Sequence, residues 1–114
     1  MPSSAVFHTP LATVSWSWGT SGVLRGSVAG EIDATNRVEV IGEVRERLRG
    51  SGARAVHIDA ARLTFCDARS LVEAAAVVCA ARDKGAHLEV ANLAPHLTRL
   101  LGLLVSDPCT SALR

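Results

Sequence analysis

Residues 55–82, AVHIDAARLTFCDARSLVEAAAVVCAAR, carry the change of period on which the fold turns. Ala55-Val56-His57-Ile58-Asp59 is a short β-rich run, and its place between a helix and a loop makes it a strand set deep in a sheet. From Ala68 to Arg82 the composition becomes strongly helical, and Lys84-Gly85 ends it with a basic residue followed by a stop. Ala74, Ala75, Ala76, Ala80 and Ala81 let such a helix lie close to a sheet, while Leu71, Val72, Val78 and Cys79 fill the gaps. The stretch therefore reads as a strand, a loop over Ala61 to Asp67, and a mostly buried helix.

Upstream, Ala12, Val14, Trp16 and Trp18 alternate with Thr13, Ser15 and Ser17, the two-residue period of a half-buried strand. Thr20-Ser21-Gly22 turns the chain, and Val23 to Val28 follows closely enough to pair with it as an antiparallel hairpin, with Gly26 and Gly30 bracketing its end. From Asn36 the step lengthens: Val38, Ile41, Val44 or Arg45, and Leu48 form the inner stripe of an amphipathic helix whose Arg45, Glu46, Arg47 and Arg49 face water. Asn36 with Glu39 fits a capping box, and Gly50-Ser51-Gly52 supplies the stop. Downstream, His87 to Ala91 is a strand, and Pro95 opens a third helix carried by Leu97, Leu100, Leu101 and Leu104. Residues 1–10 lack a clear period and are expected to be a flexible segment, with a single domain over 11–114. The last ten residues give no definite reading. The order ββαβαβα predicts an α/β fold: a mixed sheet with an initial antiparallel hairpin and helices gathered mainly on one face.

The chain has 114 residues, enough for one self-sufficient core. Hydrophobic residues at 48% against 20% charged argue for an ordered globule. Twelve basic against eleven acidic residues leave +1, which removes the broad electrostatic argument for nucleic acid or an anionic membrane as partner. The start has no basic and apolar leader, and no apolar run approaches a membrane span. Cys66, Cys79 and Cys109 are an odd number without CxxC spacing, which argues against a disulfide framework and a zinc site, and for a reducing cytoplasm. His8, His57, His87 and His96 are scattered, so no metal and no cofactor is expected.

Two segments carry a resemblance. Gly30-Glu31-Ile32-Asp33, and Leu63-Thr64-Phe65-Cys66-Asp67-Ala68-Arg69-Ser70-Leu71 before the long helix, resemble the G-E-[LI]-D turn and the F-x-D-S-[ST]-G-L loop of the STAS domain family, over roughly residues 11–105. The members most like it are free-standing bacterial anti-sigma factor antagonists, which bind a kinase-like anti-sigma factor and so act in transcription regulation. The resemblance implies a non-catalytic, cytoplasmic protein-binding module. In such antagonists the Ser after the Asp is phosphorylated by the partner, and the added charge of about −1.5 to −2 breaks the complex. Here Asp67 matches the Asp, Ala68 stands at the phosphorylated position, Arg69 at the next hydroxyl and Ser70 at the Gly. The resemblance thus implies a degenerate phosphosite at Ala68.

Asp67 as helix N-cap, or Ser70 capping with Glu73, accounts for these residues structurally. Capping leaves the exposed turn free to bind, so Asp67, Ala68, Arg69 and Ser70 are partner-binding candidates. Asp33 joins them as a surface residue of the first turn, with an Asx turn as its structural alternative. Arg62 and Arg69 flank the loop and suit an acidic partner. Trp16 and Trp18 read as packing. Cys66, beside Asp67, is a candidate redox switch, with a buried small hydrophobe as the plain reading. The alternative function is a diverged scaffold or homo-oligomerisation subunit without a sigma-factor role. A phospho-receiver at Asp59 is the enzymatic competitor. It lacks the acidic pair for Mg²⁺, and Lys84, the sole lysine, lies at a helix end.

Overall fold

The computed structural model describes residues 4–106 and 108–114. Five strands, β1 (Ser4–His8), β2 (Ala12–Trp18), β3 (Val23–Ile32), β4 (Ala55–Cys66) and β5 (Leu88–Ala91), form one sheet in chain order. The first two pairings are antiparallel, and β3–β4 and β4–β5 are parallel. Helices α1 (Arg37–Gly50) and α2 (Ala68–Asp83) are the crossovers between the parallel strands, and α3 (Pro95–Leu104) follows β5. The fold is a mixed α/β sheet with an initial antiparallel hairpin and its helices on one face, as the order of periods predicts.

Register assigns the two faces. Trp16, Gly26, Ile58 and Val90 stand in one cross-strand row, and Trp18, Leu24, Val56 and Leu88 in the next. These rows carry the helix-side core, which Val14, Leu24, Leu71, Leu88 and Leu97 fill. The alternate rows, Ser17-Arg25-His57-Glu89 and Ser15-Ser27-Asp59-Ala91, form the uncovered face. Trp16 packs its ring over Gly26, where an added Cβ would meet the indole at 2.7 Å. Its Nε1 donates to Glu43 Oε2 at 3.0 Å, and Arg47 lies 5.6 Å from the ring while pairing with the same carboxylate. One tryptophan thus joins sheet and α1. Trp18, by contrast, is 43% exposed at the end of its strand.

Four expectations change. Ser4–His8, within the segment expected to be flexible, pairs residue by residue with β2 as the edge strand of the sheet; positions 1–3 lie outside the described residues. The expected loop Ala61 to Asp67 is strand as far as Cys66. Two register shifts against β3 change the spacing of buried β4 residues from two to three (Val56, Ile58, Ala60, Leu63, Cys66), which hides the strand from a period-two reading. On α1 the buried residues are Val40 and Ile41, whereas Val38 is 78% exposed. Its register is set by Asn36, which is buried: its Oδ1 accepts from Asp33 N, and its Nδ2 donates to Glu31 O and Thr9 Oγ1, so it closes no capping box with Glu39.

The fourth change concerns cysteine. Cys79 on α2 and Cys109 form a disulfide with 5.7 Å between their Cα atoms. Counting cysteines argues against such a bond, but the chain after α3 returns across α2 through the turn Pro108–Ala112 and brings them together. Ala112 and Leu113 then enter the core, Leu113 bridges Val90, and Arg114 N donates to Val90 O. The end of the chain that gave no definite reading is thus packed along β5; Asp107 lies outside the described residues.

Candidate functional site

The parallel pairing of β3 and β4 ends with Ile32 opposite Cys66, and Asp67 N donates to Ile32 O at 3.2 Å. The two family-like turns therefore leave the sheet side by side, and each feeds the N-terminus of a helix. Gly30 makes this exit. Its φ of +100° is a left-handed conformation, and a Cβ there would meet Leu11 O at 2.1 Å, so only glycine lets β3 pass this close to the chain entering β2.

Asp33 makes the Asx turn: its Oδ1 accepts from Thr35 N at 2.8 Å and from the Thr35 hydroxyl. Those bonds, the hydroxyl first, hold its carboxyl below the ordinary value of 3.8, and the nearby Asp67 charge acts in the opposite direction. Asp67 is the N-cap of α2, its Oδ1 accepting from Ser70 N at 2.8 Å. Its carboxyl is also lowered, by the Ser70 side chain first, then by the Ser70 amide and the guanidinium groups of Arg37 and Arg69. The Ser70 hydroxyl comes near enough to the carboxylate to favour its charge. It nevertheless meets full hydrogen-bond geometry with no group among the described residues.

A short ion-pair chain ties the two helix starts together. Arg37, first residue of α1, places Nη1 3.8 Å from Asp67 Oδ1 and Nε 3.6 Å from Glu73 Oε2, and Glu73 Oε1 accepts from Arg69 Nε at 3.2 Å. Sequence reading passes over Arg37. Only its place directly after the G-E-I-D turn hints that it reaches the neighbouring helix. Glu73 serves these arginines and not a cap shared with Ser70.

Ala68 and Arg69 are exposed on the first turn of α2, and Asp67 is half-buried beneath them. Ser70, named with them as a contact candidate, has 0% exposure, which puts its hydroxyl beyond direct reach of a partner or a kinase. Phe65 (46% exposed), Val38 and Val72 are apolar side chains left in solvent at this same end, although the helical periodicity places Val38 on an inner stripe and Val72 among the packed residues of the long helix. Arg62 is exposed on β4. The surface is a capped turn with the charges of Arg37, Asp67, Arg69 and Glu73 paired, fringed by bare apolar groups.

Cys66 does not suit the redox role considered for it. Burial, with the Asp67 charge adding to it, pushes its thiol up to about 12, so the reactive thiolate is almost absent at neutral pH. The cysteine chemistry sits at Cys79–Cys109 instead. Asp59 is engaged as an acceptor, taking Ala61 N at 2.9 Å and Asn92 Nδ2 at 3.1 Å. Among the described residues no helix is long and apolar enough to cross a membrane.

Comparison with known proteins bears on this geometry. A family model described as "Mlab, STAS domain" matches residues 20–107. The anti-sigma factor antagonist SpoIIAA in its unphosphorylated form superposes with a TM-score of 0.62 at 11% identity, covering 79% of this chain and 78% of that one. An antisigma-factor antagonist STAS domain from Rhodobacter sphaeroides gives 0.62 at 19% identity over 73% and 88%. SiaC of Pseudomonas aeruginosa gives 0.58 at 18% over 91% and 94%. At these identities the solved structures establish a shared fold. No curated protein matches the sequence. The family model spans both turns, the helices they open and the strands between, and on that match the chain belongs to the STAS domain family.

Proposed function

We propose that this protein is a non-catalytic regulatory module that docks a kinase-like anti-sigma factor through the turn at the head of α2, and that phosphate cannot be used to undo that contact. The observation that carries the reading is the exposed pair Ala68-Arg69 standing on the Asp67 cap, with no hydroxyl at the position where the family places its phosphorylated serine. The nearest serine along the helix, Ser70, is buried. Arg69 also adds positive charge to the turn, the reverse of a phosphate mimic. Asp67 and Asp33 contribute carboxylates at the edge of the docking face, and Phe65, Val38 and Val72 supply apolar area of the kind that sits at interface centres.

Structures that share the fold at low identity include ones described as anti-sigma factor antagonists, which supports the class of partner. The place of action in this reading is the bacterial cytoplasm, on the class of partner alone, since the Cys79–Cys109 disulfide removes the cysteine argument for a reducing compartment. On the same reading the module acts by binding and not by catalysis.

The test is co-purification with an ATPase-fold anti-sigma factor, followed by titration of the pair. Asp67→Lys combined with Arg69→Glu should weaken the complex roughly tenfold or more, because each reverses a charge at the contact. Partner binding that survives both changes would refute the docking face. Self-association as the sole interaction would place the protein among scaffold subunits instead.

A further inference from the structure

Helices α1 and α2 both return antiparallel to the strands they connect, so they run parallel to each other, and their C-terminal halves lie together at the end of the molecule opposite the α2 head. Between them is a groove of about 460 Å³ lined by Leu48, Val77, Ala80, Ala81 and Ala86, with Arg45, Arg49 and Lys84 also on it. No carboxylate lines this groove. Arg49 is paired with Glu46 at 3.2 Å, while Arg45 and Lys84 have no ion-pair partner among the described residues.

Basic residues at helix C-termini are ordinarily explained by the macrodipole, and part of this cluster is. Two parallel helices present about −0.5 charge each at their C-terminal ends. One cation balances them and Glu46 satisfies another, so one of the three cations lining the groove is left over beside an apolar floor; Asp83 ends α2 next to Lys84 but does not line the groove. The floor is built largely of small residues. Ala80 and Ala86 are exposed, and Leu48, Val77 and Ala81 are half-buried, so another helix can approach closely and lay side chains between α1 and α2.

We infer that this groove is a second docking surface, and that its occupant is an acidic amphipathic helix of a partner protein. The apolar face of that helix lies on Leu48, Val77 and Ala81, and its carboxylates meet Arg45 and Lys84. An anionic membrane fits less well, because a lipid surface favours a protruding basic face, whereas here the apolar part is a narrow groove between two helices. The site is independent of the α2 head and leaves that turn free, so one molecule can hold two partners at once.

The experiment uses the full chain, isotopically labelled, and a short synthetic helical peptide with leucines on one face and glutamates on the other. Expected are amide shifts centred on Leu48, Val77, Ala80 and Ala81, weakening with added salt. Arg45→Glu together with Lys84→Glu should reduce the affinity roughly tenfold or more. Ala80→Glu, an exposed change that the fold tolerates, should do the same by placing a charge on the floor. Asp67→Lys with Arg69→Glu should leave peptide binding intact. The inference is overturned if the peptide fails to bind, if charge reversal leaves its affinity unchanged, if the shifts centre on the head of α2, or if a lysine-for-glutamate version of the peptide binds equally. Preferential binding to phosphatidylserine vesicles would overturn it in favour of a membrane contact.

Discussion

Asp67 has two tasks in this account: it caps α2 and it presents Ala68 and Arg69. The first can be isolated. Asp67→Ala should lower stability by about 1 kcal/mol, whereas Asp67→Asn, also a good cap, should cost much less; urea unfolding of both variants checks this. Because hydrogen bonds to Ser70 and the neighbouring guanidinium groups depress the folded carboxyl below 3.8, its contribution is complete above that value and is lost as pH falls through the lowered folded value. Asp33 and Asp59 are depressed in the same direction, so the urea midpoint should drop as pH is taken below about 4. The acid-side slope should flatten in Asp67→Asn, and a slope unchanged by that substitution would show that the cap carries no charge-dependent stability. Gly30 is a sharper case. A Cβ there adds a left-handed φ and a 2.1 Å approach to Leu11 O, so Gly30→Ala should destabilise by roughly 2–5 kcal/mol. The cap was legible in the sequence as a choice between Asp67 and Ser70, since both residue types cap helices. What decided between them, the burial of Ser70 beneath the turn, depends on the packing of α2 against the sheet and has no local signature.

At the scale of elements, strands and helices with a clean period were readable and those with a broken one were not. The β2 alternation holds from Ala12 to Trp16 and the leucine spacing of α3 from Leu97 to Leu101, whereas Trp18 and Leu104, at the element ends, are exposed. The β-rich run of β4 is legible only as far as Asp59, since its two register shifts against β3 turn the burial step from two to three. β1 carries no such period because an exposed edge strand needs little hydrophobic alternation to pair. The phase of α1 came out differently because Asn36 and Arg37 anchor its start to the turns on either side, and Trp16 draws Glu43 and Arg47 toward the sheet. The disulfide is an element-scale feature in the same sense: it depends on how the chain returns after α3. With a sequence separation of 30 between Cys79 and Cys109, loop-closure entropy predicts that Cys79→Ser, or reduction by a dithiol, lowers stability by roughly 3–4 kcal/mol. Chemical unfolding with and without dithiothreitol measures it. A thiol reagent applied to the oxidised native protein should find no reactive group until unfolding, because the remaining Cys66 is buried.

Taken whole, the molecule separates its chemistry between two ends. At the head of α2 the charges of Arg37, Asp67, Arg69 and Glu73 are paired into a stiff surface with apolar residues around it. At the opposite end Arg45 and Lys84 have no ion-pair partner among the described residues and stand beside a groove. The near-neutral overall balance argues against a uniformly basic nucleic-acid surface, yet it says nothing of how charge is distributed, which is set by two helices running in parallel. The family was legible because its two motifs fall at strand ends whose positions the fold fixes. The residues around them, Arg37, Phe65, Val38 and Val72, were not, since they become a surface only when β3 and β4 end side by side. The central claim is that the α2 head binds a partner whose grip phosphate cannot release. The most direct measurement is the dissociation constant of the complex with the co-purified ATPase-fold partner, with and without Mg-ATP, for the natural protein and for Ala68→Ser. The account predicts a constant unmoved by ATP in the natural protein and a weakening of roughly tenfold or more, with phosphate on residue 68, in Ala68→Ser. ATP-driven phosphorylation of the natural protein, with loss of the complex, would contradict it.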